Sequence, residues 1–136
     1  MGSLLLKDRT ILVVEDDADT RELLRFVLQE NGARVVAAAS VDAALGTYRQ
    51  APPHAVIGDI RLGRSDGYAL IKAIRETDVE YRGFTPVIAV TGFASPDDED
   101  RAMAAGFNAY ITKPFDPAEV VSTLARLLSC SSDRAA

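Results

Sequence analysis

Three acidic residues in a row, Glu15-Asp16-Asp17, close the short apolar run Ile11-Leu12-Val13-Val14, and a single aspartate, Asp59, closes another, Ala55-Val56-Ile57-Gly58. Thr91 ends a third such run, and Lys113-Pro114 follows a fourth. Carboxylates brought within a few ångströms of one another repel, so either a cation binds among them or at least one pKa rises. Hard oxygen donors that leave positions to water suit Mg²⁺ better than a transition metal, with Mn²⁺ as a substitute. A dication also lets an anionic phosphoryl group approach, which bare carboxylates would oppose. One carboxylate then serves as nucleophile toward a phosphorylated donor, while metal and ammonium neutralise the oxygens of the transferred group. The plainer reading of acids after apolar runs is that they cap helices. It suffices for Asp17. It does not account for Asp59, whose following helix starts only near Gly67, nor for a lysine placed beside the same cluster.

For these residues to meet, the apolar runs must be strands of one sheet. Runs rich in Val and Ile at 11–14, 34–38, 55–58, 87–90 and 109–112 alternate with longer stretches of helical period, which predicts an α/β fold with a five-stranded parallel sheet covered on both faces. Leu23, Leu24, Val27 and Leu28 paint one stripe of a first helix that Asn31-Gly32 ends. Ser40 caps a second, carrying Val41, Ala44, Leu45 and Tyr48 and stopped by Pro52-Pro53. A third begins near Gly67 with Leu70, Ile71 and Ile74. Ser95-Pro96-Asp97-Asp98 and Asp116-Pro117-Ala118-Glu119 each place a cap, an early proline and acids in the order a helix start prefers. In a doubly wound sheet the functional crevice lies at the carboxyl ends of the strands, at the switch point. In the order 2-1-3-4-5, one of two common versions, strands one and three are neighbours there, and Glu15, Asp16 and Asp59 converge.

The totals exclude several classes. At 136 residues and 48% hydrophobic, the chain is the size of one domain with a core of its own. A net charge of −5 without any cluster of Lys or Arg argues against direct nucleic-acid binding. No apolar stretch approaches the roughly 18 residues of a membrane span, and Lys7-Asp8-Arg9 is not followed by a signal-peptide core, so a cytoplasmic location is expected. A single cysteine, Cys130, allows neither an internal disulfide nor a cysteine metal cluster. His54, alone after Pro52-Pro53, reads as structural or exposed. Residues 1–9 read as an N-terminal extension or cloning scar, residues 10–128 as the domain, and residues 129–136 as a polar tail without pattern.

Four segments together, Ile11 through Asp17, Asp59-Ile60-Arg61-Leu62 with Asp66-Gly67, Val90-Thr91-Gly92 and Tyr110-Ile111-Thr112-Lys113-Pro114-Phe115, resemble the receiver domains of response regulators in two-component signalling. Any one piece is weak, but all four in order at strand ends are not. The resemblance covers residues 10–128 and implies a flavodoxin-like (βα)5 fold related to the chemotaxis regulators. It implies that Asp59 is the phosphoacceptor and that Asp16 and Asp59 ligate Mg²⁺, with the Arg61 carbonyl as a further ligand and Glu15 acting through water. Lys113 and Thr91 then contact the phosphoryl group, Thr91 moves with the ring of Tyr110 as the switch, and the Lys113-Pro114 bond is cis. Arg61 and Phe93 flank the path of water to phosphorus. The donor implied is a histidine kinase or a histidine phosphotransfer protein, and the domain is a self-phosphorylating and self-dephosphorylating switch rather than an enzyme.

Two positions depart from the family pattern: Gly63 replaces a usual proline, which should loosen the loop after Asp59, and Gly58 replaces a larger apolar residue, which should leave slack packing under the site. Of the competing readings, an aspartyl-phosphate phosphatase usually has a second aspartate where Arg61 stands. A flavin mononucleotide domain would set its phosphate loop against the repelling Glu15-Asp16-Asp17, and a degenerate receiver would not carry the full residue set. The partner downstream is left open. So is the choice between a stand-alone regulator and the receiver of a hybrid histidine kinase, toward which the approach over residues 77–84 and the segment Thr85-Pro86-Val87-Ile88-Ala89-Val90-Thr91 lean.

Overall fold

The computed structural model describes residues 4–62, 65–81, 83–92 and 95–135, without the side chains of residues 61, 62, 65, 66, 80, 81 and 130–135. In chain order the elements are β1 (Thr10–Val14), α1 (Ala18–Glu30), β2 (Arg34–Ala38), α2 (Val41–Gln50), β3 (Ala55–Gly58), β4 (Arg61–Leu62), β5 (Ser65–Asp66), α3 (Gly67–Tyr81), β6 (Val87–Thr91), α4 (Pro96–Ala105), β7 (Ala109–Thr112) and α5 (Pro117–Ala135). The main sheet is parallel throughout, in the order β2-β1-β3-β6-β7. Once the two-residue strands β4 and β5 are set aside, this is the expected 2-1-3-4-5. Those two short strands were not expected. They pair antiparallel, Arg61 opposite Asp66 and Leu62 opposite Ser65, and so tie down the backbone after Asp59.

Alternating residues of the buried strands feed two apolar layers. Leu12, Val14, Val56, Val87 and Ala89 face α2 and α3, with Leu70, Ile71 and Ile74 of α3 nearly inaccessible. Ile11, Val13, Ile57, Ile88 and Val90 face α1 and α5. Sequence-encoded caps set the helix ends. Ser40 and Ser95 accept from the amides of Ala43 and Asp98, Asp116 accepts from the amide of Ala118, and Gly106 closes α4 at φ 117°.

Order extends further than the residue pattern foretold. Leu6 is inaccessible within the α1 and α5 layer and its amide donates to the Asn31 carbonyl, so the segment just before β1 is packed. The helix α5 runs on through the stretch expected to be a patternless tail, since no proline or glycine interrupts it before Ala135. Packing under the site is not slack either: a Cβ on Gly58 would meet Leu70 Cδ2 at 3.3 Å, so the leucine already fills the space. Gly63 lies outside the described residues, as does the side chain of Cys130.

Candidate functional site

The ladder continues one residue beyond three strands, which fixes the backbone under each functional side chain. The amides of Glu15, Asp59 and Lys113 donate to the carbonyls of Ala38, Val14 and Thr91 at 3.0, 3.1 and 2.7 Å. Carboxylate oxygens of Glu15, Asp16 and Asp59 consequently lie within 4.8 Å of one another. Glu15 and Asp59 are buried, at 2% and 8% exposure, whereas Asp16 is exposed. Lys113 arrives from the end of β7 and its Nζ donates to Glu15 Oε1 at 2.5 Å and to Asp59 Oδ2 at 2.7 Å.

The electrostatics follow from this enclosure. Burial lifts Glu15 to about 7, with the charge of Asp59 adding to the rise and the Lys113 hydrogen bond opposing it. At Lys113 burial works to lower the pKa, but the bonds to Asp59 and Glu15 and their charges outweigh it and hold the ammonium above its usual value. Two buried carboxylates thus share one ammonium, and a third carboxylate beside them is open to solvent. Three hard oxygen donors with more negative charge than one lysine neutralises fit a divalent magnesium-like cation.

Asp17 stands apart from the cluster. Its Oδ2 accepts from the Thr20 amide at 3.0 Å and the Thr20 hydroxyl at 2.5 Å, bonds that hold its carboxyl below the usual range and make it the cap of α1. Arg21, which the sequence reading passed over, donates to the carbonyls of Glu15 at 2.9 Å and Asp16 at 3.4 Å and braces the acidic turn from α1. Its signal was a cation one turn into the helix after an acidic run. Thr91 is fully buried at the end of β6, in register with Thr112. Tyr110 on β7 pairs with Ala89 on β6 and packs half-buried against the layer under α2 and α3; burial raises its pKa. The Lys113-Pro114 peptide is cis as expected. A groove of about 400 Å³ lined by Thr20, Leu23, Lys113, Pro114 and Phe115 opens beside the lysine. The Arg61 backbone lies in β4, its side chain is not among those described, and Phe93 falls outside the described residues.

An acidic triad and a lysine brought to one sheet edge by strand order is the arrangement that the sequence resemblance anticipated. A sequence model of the response regulator receiver domain matches residues 11–125. The chain belongs to this family. Receiver domains are modules of two-component signalling, so the phosphatase and flavin-domain alternatives fall away. An uncharacterised 14.6 kDa protein of Leptolyngbya boryana is 41% identical over 117 residues, 85% of this receiver and 87% of that protein. PhoB, the phosphate regulon transcriptional regulatory protein of Escherichia coli K12, is 34% identical over 116 residues, 85% of this receiver and 50% of PhoB, so the chain spans half the length of that relative. Among solved structures, the beryllofluoride-activated DrrB receiver domain superposes with a TM-score of 0.79 at 29% identity, covering 89% of this chain and 97% of that one.

Proposed function

We propose that the receiver accepts a phosphoryl group on Asp59 from the phosphohistidine of a histidine kinase or a histidine phosphotransfer protein in the cytoplasm. An Asp59 carboxylate oxygen attacks phosphorus and a P–O bond forms as the P–N bond breaks. The electron pair stays on the imidazole nitrogen, which takes a proton. The observation that carries this reading is the Lys113 ammonium held between Asp59 and Glu15, where it meets the oxygens of an incoming phosphoryl group. Asp16, Asp59 and the Arg61 carbonyl would hold Mg²⁺, or Mn²⁺ in its place, with Glu15 assisting through water. When bound, the ion offsets the charge that otherwise keeps a phosphate out. Thr91 receives a phosphoryl oxygen, and Tyr110 carries the change to the face of α4, β7 and α5, where a protein partner reads it. The groove beside Lys113 leaves room for the donor. The chain's own net charge of −5 makes direct contact with nucleic acid by this domain unfavourable.

Acetyl phosphate tests the assignment. Intact-mass measurement is expected to show one added phosphate in Mg²⁺ and none in chelator, and Asp59→Asn should abolish it; retention of the adduct in that variant would sink the role of Asp59. Hydrolysis is slowed by Arg61 and Phe93. An Arg61→Asn, Phe93→Glu double variant should release phosphate roughly tenfold faster, a change of about 1.4 kcal/mol in barrier. Equal decay rates would remove both side chains from water control.

A further inference from the structure

Gly67 opens α3 directly against the backbone of Asp59. A Cβ built on it would lie 2.6 Å from the Asp59 carbonyl oxygen, 2.9 Å from Ile60 Cα and 3.3 Å from the Asp59 carbonyl carbon. Its amide donates to the Ile60 carbonyl at 2.6 Å. The requirement for glycine is spatial and not conformational, because the glycines with positive φ among the described residues are Gly32 and Gly106. Neither wall of this contact yields easily. On one side Asp59 is bound through its amide to Val14 and through its carboxylate to Lys113. On the other, α3 is fixed by Leu70, Ile71 and Ile74, all at 1% exposure or less. The Asp59–Ile60 peptide is the link between them, so a side chain at position 67 would displace the aspartate itself.

We propose that Gly67 is a positioning residue for phosphoryl transfer: by having no side chain it lets the start of α3 seat the Asp59–Ile60 peptide, and this seating aims the Asp59 carboxylate. The inference rests on the phosphoacceptor reading of Asp59. It sets Gly67 apart from Gly58, also adjacent to the site, where a Cβ would meet one side-chain carbon, Leu70 Cδ2 at 3.3 Å, rather than the backbone of the aspartate.

The test compares wild type, Gly67→Ala and Gly58→Ala at saturating Mg²⁺ and varied acetyl phosphate, following the phosphorylated mass over time, with melting temperature as the measure of stability. Gly67→Ala is expected to lose at least about fivefold in maximal rate at little change in half-saturating acetyl phosphate, since displacement of a nucleophile by a fraction of an ångström weakens the reactive geometry rather than encounter with the donor. Gly58→Ala, even where its melting temperature falls as far, should lose less. A smaller loss in Gly67→Ala, or losses in the two variants that simply track melting temperature, overturns the inference. Should Gly67→Ala unfold even in trimethylamine N-oxide, the glycine sustains the fold rather than aiming the aspartate, and the inference also fails. A wild type that takes no phosphate, or an Asp59→Asn variant that does, instead overturns the phosphoacceptor reading and this inference with it.

Discussion

Glu15, Asp16 and Asp59 differ in what already satisfies them. Lys113 binds the first and the last, both buried, while Asp16 turns its carboxylate to solvent. An exposed acid at the rim of a buried pair is the donor that an incoming cation would meet first. Asp16→Asn, which removes charge at constant volume, is therefore expected to raise the Mg²⁺ concentration needed for half-maximal acetyl phosphate labelling by at least about tenfold, a loss that even outer partners of metal sites produce. An unchanged midpoint would take Asp16 out of the ligand set. These acids were legible because each stands where an apolar run stops, and the same rule found Thr91 and Lys113. Arg21 escaped because its one signal, a cation one turn into the helix after an acidic run, names no side-chain partner: it acts on backbone carbonyls across the cap turn. His54 is a residue whose chemistry turned out local: Nδ1 accepts the Thr10 amide at 2.9 Å, and its own amide donates to the Thr10 carbonyl at 2.8 Å, fastening β3 to the start of β1. Burial, and then the charge of Arg9, lower its pKa from 6.5. A depressed folded pKa means that the unfolded chain binds the proton more tightly, so the stability due to neutral His54 is fully present above about 6.5 and is lost as pH falls through the lowered value. His54→Asn keeps an acceptor for the Thr10 amide without that titration. Urea midpoints of wild type relative to the variant should fall between pH 7.5 and 5.5; a constant difference would contradict the assignment.

Between elements, an extended polar network lies away from the site. Asp78 on α3 accepts the Tyr48 hydroxyl of α2 at 2.6 Å, the Thr85 amide at 3.0 Å and Arg75 at 2.8 Å, while Arg75 also reaches the carbonyls of Thr85 and Gly106 and the side chain of Asn108. One buried carboxylate thereby joins α2, α3, the approach to β6 and the end of α4. Asp78→Ala leaves the Thr85 amide without its acceptor, takes one of two partners from the Tyr48 hydroxyl and removes the carboxylate that faces the Arg75 charge, and is expected to cost about 3 kcal/mol or more, against about 1 to 2 kcal/mol for Tyr48→Phe, which removes the hydroxyl's bonds to Asp78 and Thr85 and leaves the ion pair. Urea unfolding gives both values, and equal costs would show that the network is not organised around Asp78. The helices and their caps were readable from periodicity and from Ser40, Ser95 and Asp116. The Asp78 network was not, because Tyr48, Arg75, Asp78 and Thr85 come together only after α2 and α3 pack. The hairpin of β4 and β5 was equally hidden, since two-residue strands carry no alternation to read.

For the whole molecule, strand order was legible because alternating strands and helices with short connections leave few common ways to close a parallel sheet, and the resemblance to receiver domains implied the flavodoxin-like one. How a change at Asp59 spreads depends on which parts of that frame are weakly held. Among the helices α4 stands out: Ala102 is its one buried residue, and its first turn carries Asp97, Asp98 and Glu99 at the surface. Its far end is better secured, with Gly106 closing the helix and the Gly106 carbonyl held by Arg75 Nε and Nη2 at 3.1 and 2.8 Å. Thr91 lies at the end of the strand that leads into this helix, and Tyr110 sits on the neighbouring strand. If, as proposed, a phosphoryl group on Asp59 draws on Thr91, it would pull at the loosely packed start of α4 while the Arg75 bonds hold its end, and α4 would pivot more readily than translate. Such a change would be a shift between two states that differ by a few kcal/mol. Amide exchange with and without beryllofluoride and Mg²⁺ is expected to differ by about tenfold or more in the first turns of α4 and along β7, equivalent to about 1.4 kcal/mol. Amides near Gly106 should change less than those near Asp97. Loosening the anchor with Arg75→Lys, which keeps the charge but loses the fork of donors, should extend the difference to the end of α4. Differences confined to the hairpin after Asp59, or spread evenly along α4 in the wild type, would exclude a pivot at this end of the helix.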